Sequence, residues 1–220
     1  EKKLGALALL RNLRGMQVAG VPKAKIAKAL DDMRTDRVLP YRFIAAAQYA
    51  PDVEPELEHA MFRSIEGHAK LKGKTILLVD VSGSMDGLLS GRSEMRRLDA
   101  ACGLAVLARE ICEDVEIYTF SDAVKKVPAR RGFALRDAIV KSQPHMSTYL
   151  GRAVQEVDRK GARLIVFTDE QSHDRVDAPK GLGYMVNVAS YQHGVGHGDW
   201  RRIDGFSEKI LDWIIASEQG

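Results

Sequence analysis

Two aspartates, two serines and a threonine form the set of side chains best suited to chemistry. The segment Asp80-Val81-Ser82-Gly83-Ser84 follows directly on the apolar run Ile76-Leu77-Leu78-Val79. The spacing D-x-S-x-S at a strand's end lets one carboxylate and two hydroxyls curl toward one point, and Gly83 permits the tight turn. A second apolar run, Leu164-Ile165-Val166-Phe167, ends in Thr168-Asp169. A third loop, His145-Met146-Ser147-Thr148, precedes a helical pattern, so Thr148 either caps that helix or offers its hydroxyl. In an open parallel sheet, ligands bind outside the carboxyl ends of the strands, at the point where strand order reverses. Asp80, Ser82, Ser84, Thr148 and Asp169 are therefore the predicted metal site. Hard oxygen ligands carrying few full charges suit Mg²⁺ or Mn²⁺, and no thiolate or imidazole cluster invites zinc. His193 and His197 are four apart, but Gly194, Gly196 and Gly198 around them argue against a helical zinc pair. No catalytic set accompanies these ligands. A hydrolase would need a base or nucleophile, and the only candidates nearby, Glu170 and His173, read as surface residues. The expected activity is binding rather than catalysis.

The elements that must position this set alternate. Thr75–Val79 is a continuous β-favouring run, as expected of a strand buried on both faces. Leu98, Ala101, Ala105, Ala108 and Cys112 mark one face of a helix, and Val115–Phe120 the next strand. A short strand near Val124–Val127 forms a hairpin edge. Helices are predicted over Gly132–Lys141 and Tyr149–Arg159, strands over Leu164–Phe167 and Tyr184–Val188, and an amphipathic helix over Phe206–Ala216. Strands alternating with helices imply an α/β fold with a doubly wound, mostly parallel sheet. The first third differs. Leu4, Leu7, Leu9, Leu10 and Leu13 fill a helical period, and Pro22, Pro40 and Pro55 stand at plausible helix starts. The predicted division is a helical segment over 1–72 and an α/β domain over 73–220.

Composition bounds the rest. Of 220 residues, 45% are hydrophobic and 29% charged, which is ordinary for a globular protein. No apolar run approaches the ~18 residues of a membrane helix. Residues 1–74 hold 14 Lys/Arg against 9 Asp/Glu, whereas residues 75–220 hold 19 against 21. The basic excess lies in the helical third. There Lys23, Lys25 and Lys28 cluster within about one helical turn and are the candidate RNA contacts, since phosphate binding needs little beyond such a cluster. Cys102 and Cys112 fall in one segment read as a helix, where the rise between them is about 15 Å, beyond the ~7 Å reach of a disulfide. Free thiols suit a reducing, cytoplasmic setting. Trp200 and Trp213 are expected in the core. The start at Glu1, without Met or a leader pattern, suggests a piece of a longer chain.

The metal set resembles the metal-ion-dependent adhesion site of von Willebrand factor A domains: D-x-S-x-S, then a threonine, then an aspartate, each after its own element. The resemblance covers roughly residues 74–217, with Met146 and Ser147 standing where that family usually has glycines. Leu7–Leu13 with Met16, Leu39-Pro40-Tyr41-Arg42-Phe43-Ile44-Ala45, Val166–Glu170 and Ile203-Asp204-Gly205-Phe206 are similar to the Ro autoantigen family of TROVE-domain proteins. The resemblance implies a ribonucleoprotein component in RNA quality control: the end of a ring of HEAT-like helical repeats joined to an A domain. It also implies noncoding RNA partners, Y RNAs among them, bound through the full-length protein, and exoribonucleases such as polynucleotide phosphorylase. A partner's carboxylate would complete the metal's coordination. The competing expectation is a general A-domain protein–protein adaptor with no RNA role.

Overall fold

The computed structural model describes residues 4–91, 95–189, 195, 198–205, 207 and 209–219. The chain falls into two compact units, Glu1–His68 and Ala69–Gly220.

The first unit is helical: α1 (Ala6–Val18), α2 (Lys23–Asp31), α3 (Tyr41–Ala47) and α4 (Glu54–Ile65). Proline punctuates it as the sequence suggests. Pro22 and Pro40 immediately precede α2 and α3, and Pro55 lies in the first turn of α4, where its missing N–H is of no consequence. Leu9, Leu10 and Leu13 of α1 and Ile26 and Leu30 of α2 are buried, as are Phe43 and Ile44 of α3 and Leu57 and Met61 of α4. The end of α2 is tied down from α4: Arg63 donates from Nη2 to the Leu30 carbonyl (2.8 Å) and from Nη1 to that of Asp31 (2.7 Å). This satisfies two of the carbonyls a helix terminus leaves open.

The second unit is built on β1 (Leu71–Asp80), α5 (Arg97–Ile111), β2 (Cys112–Phe120), β3 (Val124–Val127), α6 (Gly132–Val140) and α7 (Leu150–Val157). β4 (Arg163–Thr168), β5 (Leu182–Asn187), β6 (Arg201–Asp204) and α8 (Lys209–Gln219) complete it. The six strands order as β3-β2-β1-β4-β5-β6. All pairings are parallel except that of β3, which returns antiparallel along the edge of β2. This is the α/β, doubly wound arrangement expected. Ile76–Val79 of β1 are wholly buried because β1 is central and covered on both faces. One face packs Ile76, Leu78, Leu164, Val166 and Met185 under Leu150, Val154 and Val157 of α7. The alternation of side chains turns Leu77, Val79, Ile165 and Phe167 to the opposite face, and α5 packs on β1 and β4.

The structure departs from the sequence reading in four places. The helix before β2 stops at Ile111, and Cys112 opens β2, paired with Leu71 of β1. Both cysteines are free and buried. The edge strand β6 is unpredicted, because Arg201-Arg202-Ile203-Asp204 lacks the apolar pattern that a strand buried on both faces requires. The last helix is placed at Lys209–Gln219, later than expected, and Phe206 lies outside the described residues, as do His193 and His197. Trp200 is buried as expected, but Trp213 is 47% exposed, and its ring meets that of Tyr184 edge-on.

Candidate metal centre

The topology sets the site. From β1 the chain passes to β2 on one side and later to β4 on the other. A crevice therefore opens at the carboxyl ends of β1 and β4, the reversal point where α/β sheets bind ligands. Asp80 is the last residue of β1 and Thr168 the last of β4. The β1–β4 register pairs Val79 with Phe167 and so brings the next residues side by side. Thr168 Oγ1 donates to Asp80 Oδ2 (2.6 Å), and the Ser82 backbone N–H donates to Asp80 Oδ1 (2.9 Å). Ser82 Oγ and Ser84 Oγ lie 3.2 Å apart. The loop is held from across the crevice, where the Gly83 N–H donates to the Met146 carbonyl (2.9 Å).

Asp169 enters from the β4 side. Its Oδ1 accepts from the Gln171 N–H (3.2 Å), and its Oδ2 accepts from Arg97 Nη1 (3.0 Å). The same Nη1 donates to the Ser84 carbonyl (3.1 Å), so the two ligand-bearing loops share one guanidinium. Thr148 sits at the foot of α7, and its carbonyl accepts from the His173 N–H (2.9 Å). Ser84, Met146, Ser147 and Thr148 form one wall of a cleft of about 390 Å³, and Glu170, Gln171, Ser172 and His173 the other. Asp80, Ser82 and Asp169 lie wholly buried. The structure thus brings Asp80, Ser82 and Ser84 together directly, joins Asp169 to them through Arg97, and places Thr148 with Ser84 on the cleft wall.

Burial pushes the Asp80 carboxyl up to about 7, against the hydrogen bonds from Ser82 and Thr168, and the neighbouring Asp169 charge adds to the rise. Glu170 is also pushed up to about 7 by burial, with the Arg202 guanidinium opposing. Glu170 corrects the sequence reading: it is buried, not a surface residue. It adopts φ 57°, a left-handed conformation unusual for a side-chain-bearing residue. Its carboxylate is gripped by Arg202 Nε (3.3 Å) and Nη2 (2.9 Å) from β6. His173 is exposed, as expected.

The oxygen set fits a hard divalent cation. It offers two buried carboxylates beside neutral hydroxyls. Among the described residues no group of three His, Cys, Asp or Glu is placed to hold a metal, so an ion here would rest on hydroxyl oxygens beside the two carboxylates. Sequence reasoning missed several supports. Thr168 and Ser121 each stand at or just beyond a strand's carboxyl end, a position that is itself a signal. Ser121 Oγ accepts from the Met146 N–H (2.8 Å) and donates to the Ser147 carbonyl (3.2 Å). Arg97 opens the helix after β1 and left no local signal.

No family model matches the chain, and no curated protein matches its sequence. Solved structures do. The chain is similar to the Ro (RSR) protein of Deinococcus radiodurans, at TM-score 0.67 and 21% identity over 97% of this chain and 52% of that one. BatB of Bacteroides thetaiotaomicron aligns at TM-score 0.44 and 15% identity, over 67% of this chain and 97% of that one. An aerotolerance-related membrane protein of Bacteroides fragilis aligns at TM-score 0.38 and 16% identity, over 58% and 70%. The chain spans about half the length of the Ro protein. Its fold, a helical segment followed by an α/β unit, is shared with that Ro protein over the stretch the two have in common.

Proposed function

We propose that the chain is a metal-dependent binding module rather than a catalyst, and that it belongs to a Ro-type protein that binds noncoding RNA. One observation carries the reading: Asp80, Ser82 and Ser84 from the end of β1 converge with Asp169 from the end of β4 at the switch point of the sheet. Asp80 and Ser82 would hold Mg²⁺ or Mn²⁺ with Ser84, while Thr148 and Asp169 contribute directly or through water. Such an ion carries two charges against few anionic ligands and keeps an affinity for one more carboxylate. The cleft beside Ser84 and Thr148 is the place where a partner's acidic side chain would reach it. The fold shared with the Ro protein supports RNA binding by the full-length protein, and an exoribonuclease is the partner class the family resemblance suggests. Lys23, Lys25 and Lys28 are exposed on α2, whose Ile26 and Leu30 are buried. Lys28 is paired with Asp32 at 3.2 Å. RNA contact by this chain would therefore be weak and electrostatic.

The test of the metal is thermal. A ligand that binds only the folded state stabilises it by about 2.7 kcal/mol at a hundredfold excess over its Kd. Mg²⁺ should raise the melting temperature of the wild type and leave Asp80→Ala unmoved. An equal response in both proteins would overturn the assignment.

A further inference from the structure

Arg97 is the first residue of α5, and its side chain is only 13% exposed. It turns inward, over the turn that carries the metal-site serines. The space it uses is made by Gly87. A Cβ on that residue would lie 3.2 Å from Arg97 Cζ and 3.2 Å from the Ser84 carbonyl oxygen. The Arg97 N–H also donates to the Gly87 carbonyl (2.9 Å), which fixes the helix start against the turn. From there Nη1 reaches two acceptors at once, the Ser84 carbonyl and Asp169 Oδ2. Asp169 is wholly buried, so this ion pair is shielded from solvent.

A divalent cation entering the oxygen set therefore meets two obstacles. One oxygen of Asp169 is already engaged, and a permanent positive charge stands one carboxylate away. An arginine does not escape such a conflict by losing its proton, and like charges repel far more strongly in a partly buried site than in water. We infer that Arg97 is a resident cation that competes with the divalent metal for Asp169 and holds the site's metal affinity down. The guanidinium keeps the two loops together when no metal is bound, and metal binding weakens or breaks its bond to Asp169. This inference rests on the metal reading of the site.

The experiment is a calorimetric titration of MgCl₂ into wild type, Arg97→Met, Arg97→Lys and Asp80→Ala. Methionine keeps much of the reach and packing but carries no charge and no donor. Arg97→Met should bind Mg²⁺ at least tenfold more tightly than wild type, and Arg97→Lys should stay within a few-fold of it. Tight binding by Arg97→Met with none detectable in wild type would support the inference still more strongly. Equal or weaker binding by Arg97→Met would overturn it and leave the metal reading standing, since an arginine that only scaffolds the Ser84 turn predicts weakening. If no protein binds Mg²⁺ at millimolar concentration, the metal reading fails and the inference falls with it. Melting in chelator checks that the variants are folded. Should Arg97→Met not fold, wild type labelled with ¹⁵N-arginine answers the question. The Arg97 guanidinium resonance, identified by its loss in Arg97→Lys, should move on saturation with Mg²⁺, and an unmoved resonance would overturn the inference.

Discussion

Asp174 joins the two loops that carry Thr148 and Asp169, and its removal should be felt across the α/β unit. Helix α7 has no side-chain cap of its own at Tyr149. Its first N–H groups are satisfied instead from the segment after β4. Asp174 Oδ1 accepts from Gly151 N (2.9 Å) and Oδ2 from Arg152 N (2.8 Å), while Ser172 Oγ donates to Oδ1 (2.6 Å) and accepts from Leu150 N (3.2 Å). Loss of a helix N-terminal cap costs about 1 kcal/mol, and a carboxylate at a partly buried N-terminus adds a comparable amount. Asp174→Ala should therefore destabilise the unit by about 2 kcal/mol, and Asp174→Asn, which keeps one acceptor, by about half that. For a unit of this size 2 kcal/mol lowers the melting temperature by about 4–8 °C, measured by far-ultraviolet circular dichroism. The pH dependence gives an independent check. Burial alone would raise the Asp174 carboxyl, but the bonds from Ser172 and from the Arg152 and Gly151 N–H groups outweigh it and hold the group below its ordinary value. A carboxyl depressed in the folded state stabilises fully above the unfolded value of about 3.9 and loses that contribution as pH falls through the folded one. The gap between wild type and Asp174→Ala should be complete at pH 6 and shrink as pH falls below 4. A gap that stays constant to pH 2, or that never exceeds half a kcal/mol, would refute the cross-loop cap.

Gly151→Ala should lower stability by about 1–3 kcal/mol, as overpacking does. The new Cβ would fall 1.9 Å from the Arg175 carbonyl oxygen and 2.8 Å from its carbon, which are backbone atoms that yield only if the loop moves; urea denaturation that leaves the midpoint unchanged would contradict this. For RNA, binding should be non-specific, with Kd about 10⁻⁴–10⁻⁶ M near physiological salt. Neutralising Lys23, Lys25 and Lys28 together should flatten the dependence of affinity on salt more than Asp80→Ala does, read by titrating a structured RNA and an unrelated RNA of equal length. Nanomolar, salt-insensitive preference for either RNA would contradict it.

The parts of the site legible in the sequence share one property: their geometry is fixed locally. A β-favouring run that ends in D-x-S-x-S places Asp80, Ser82 and Ser84 by strand direction and turn alone. The same holds for Asp169 after Leu164–Phe167. What the sequence hid depends on long-range partners. Arg97 meets Asp169 across 72 positions, and Asp174 reaches back 23 positions to Gly151. Neither has a local pattern to announce it. The buried state of Glu170 was hidden for a compound reason. A glutamate is buried only with a partner, its partner Arg202 lies on β6, and β6 itself was invisible because an edge strand with one paired side tolerates charge. One omission therefore produced the other.

These hidden contacts also explain why the proposed ligands stay where they are. Two buried carboxylates, Asp80 and Asp169, close enough for the charge of one to raise the other, would push the β1 and β4 loops apart if nothing opposed them. Around them stand Thr168, which donates to Asp80, and Arg97, which donates to Asp169 and to the Ser84 carbonyl. Farther out, Arg202 grips Glu170 and Asp174 grips α7. Each contact crosses from one strand-end loop to another element. The crevice is thus held in shape by protein donors. If the proposed cation binds, a preorganised oxygen set of this kind would spare it the work of gathering its ligands. Its affinity would then be set by the difference between the cation and the donors it displaces. Among the described residues Arg97 is the donor that brings a full positive charge onto Asp169, so in the proposed metal site its side chain would be a place where affinity is tuned.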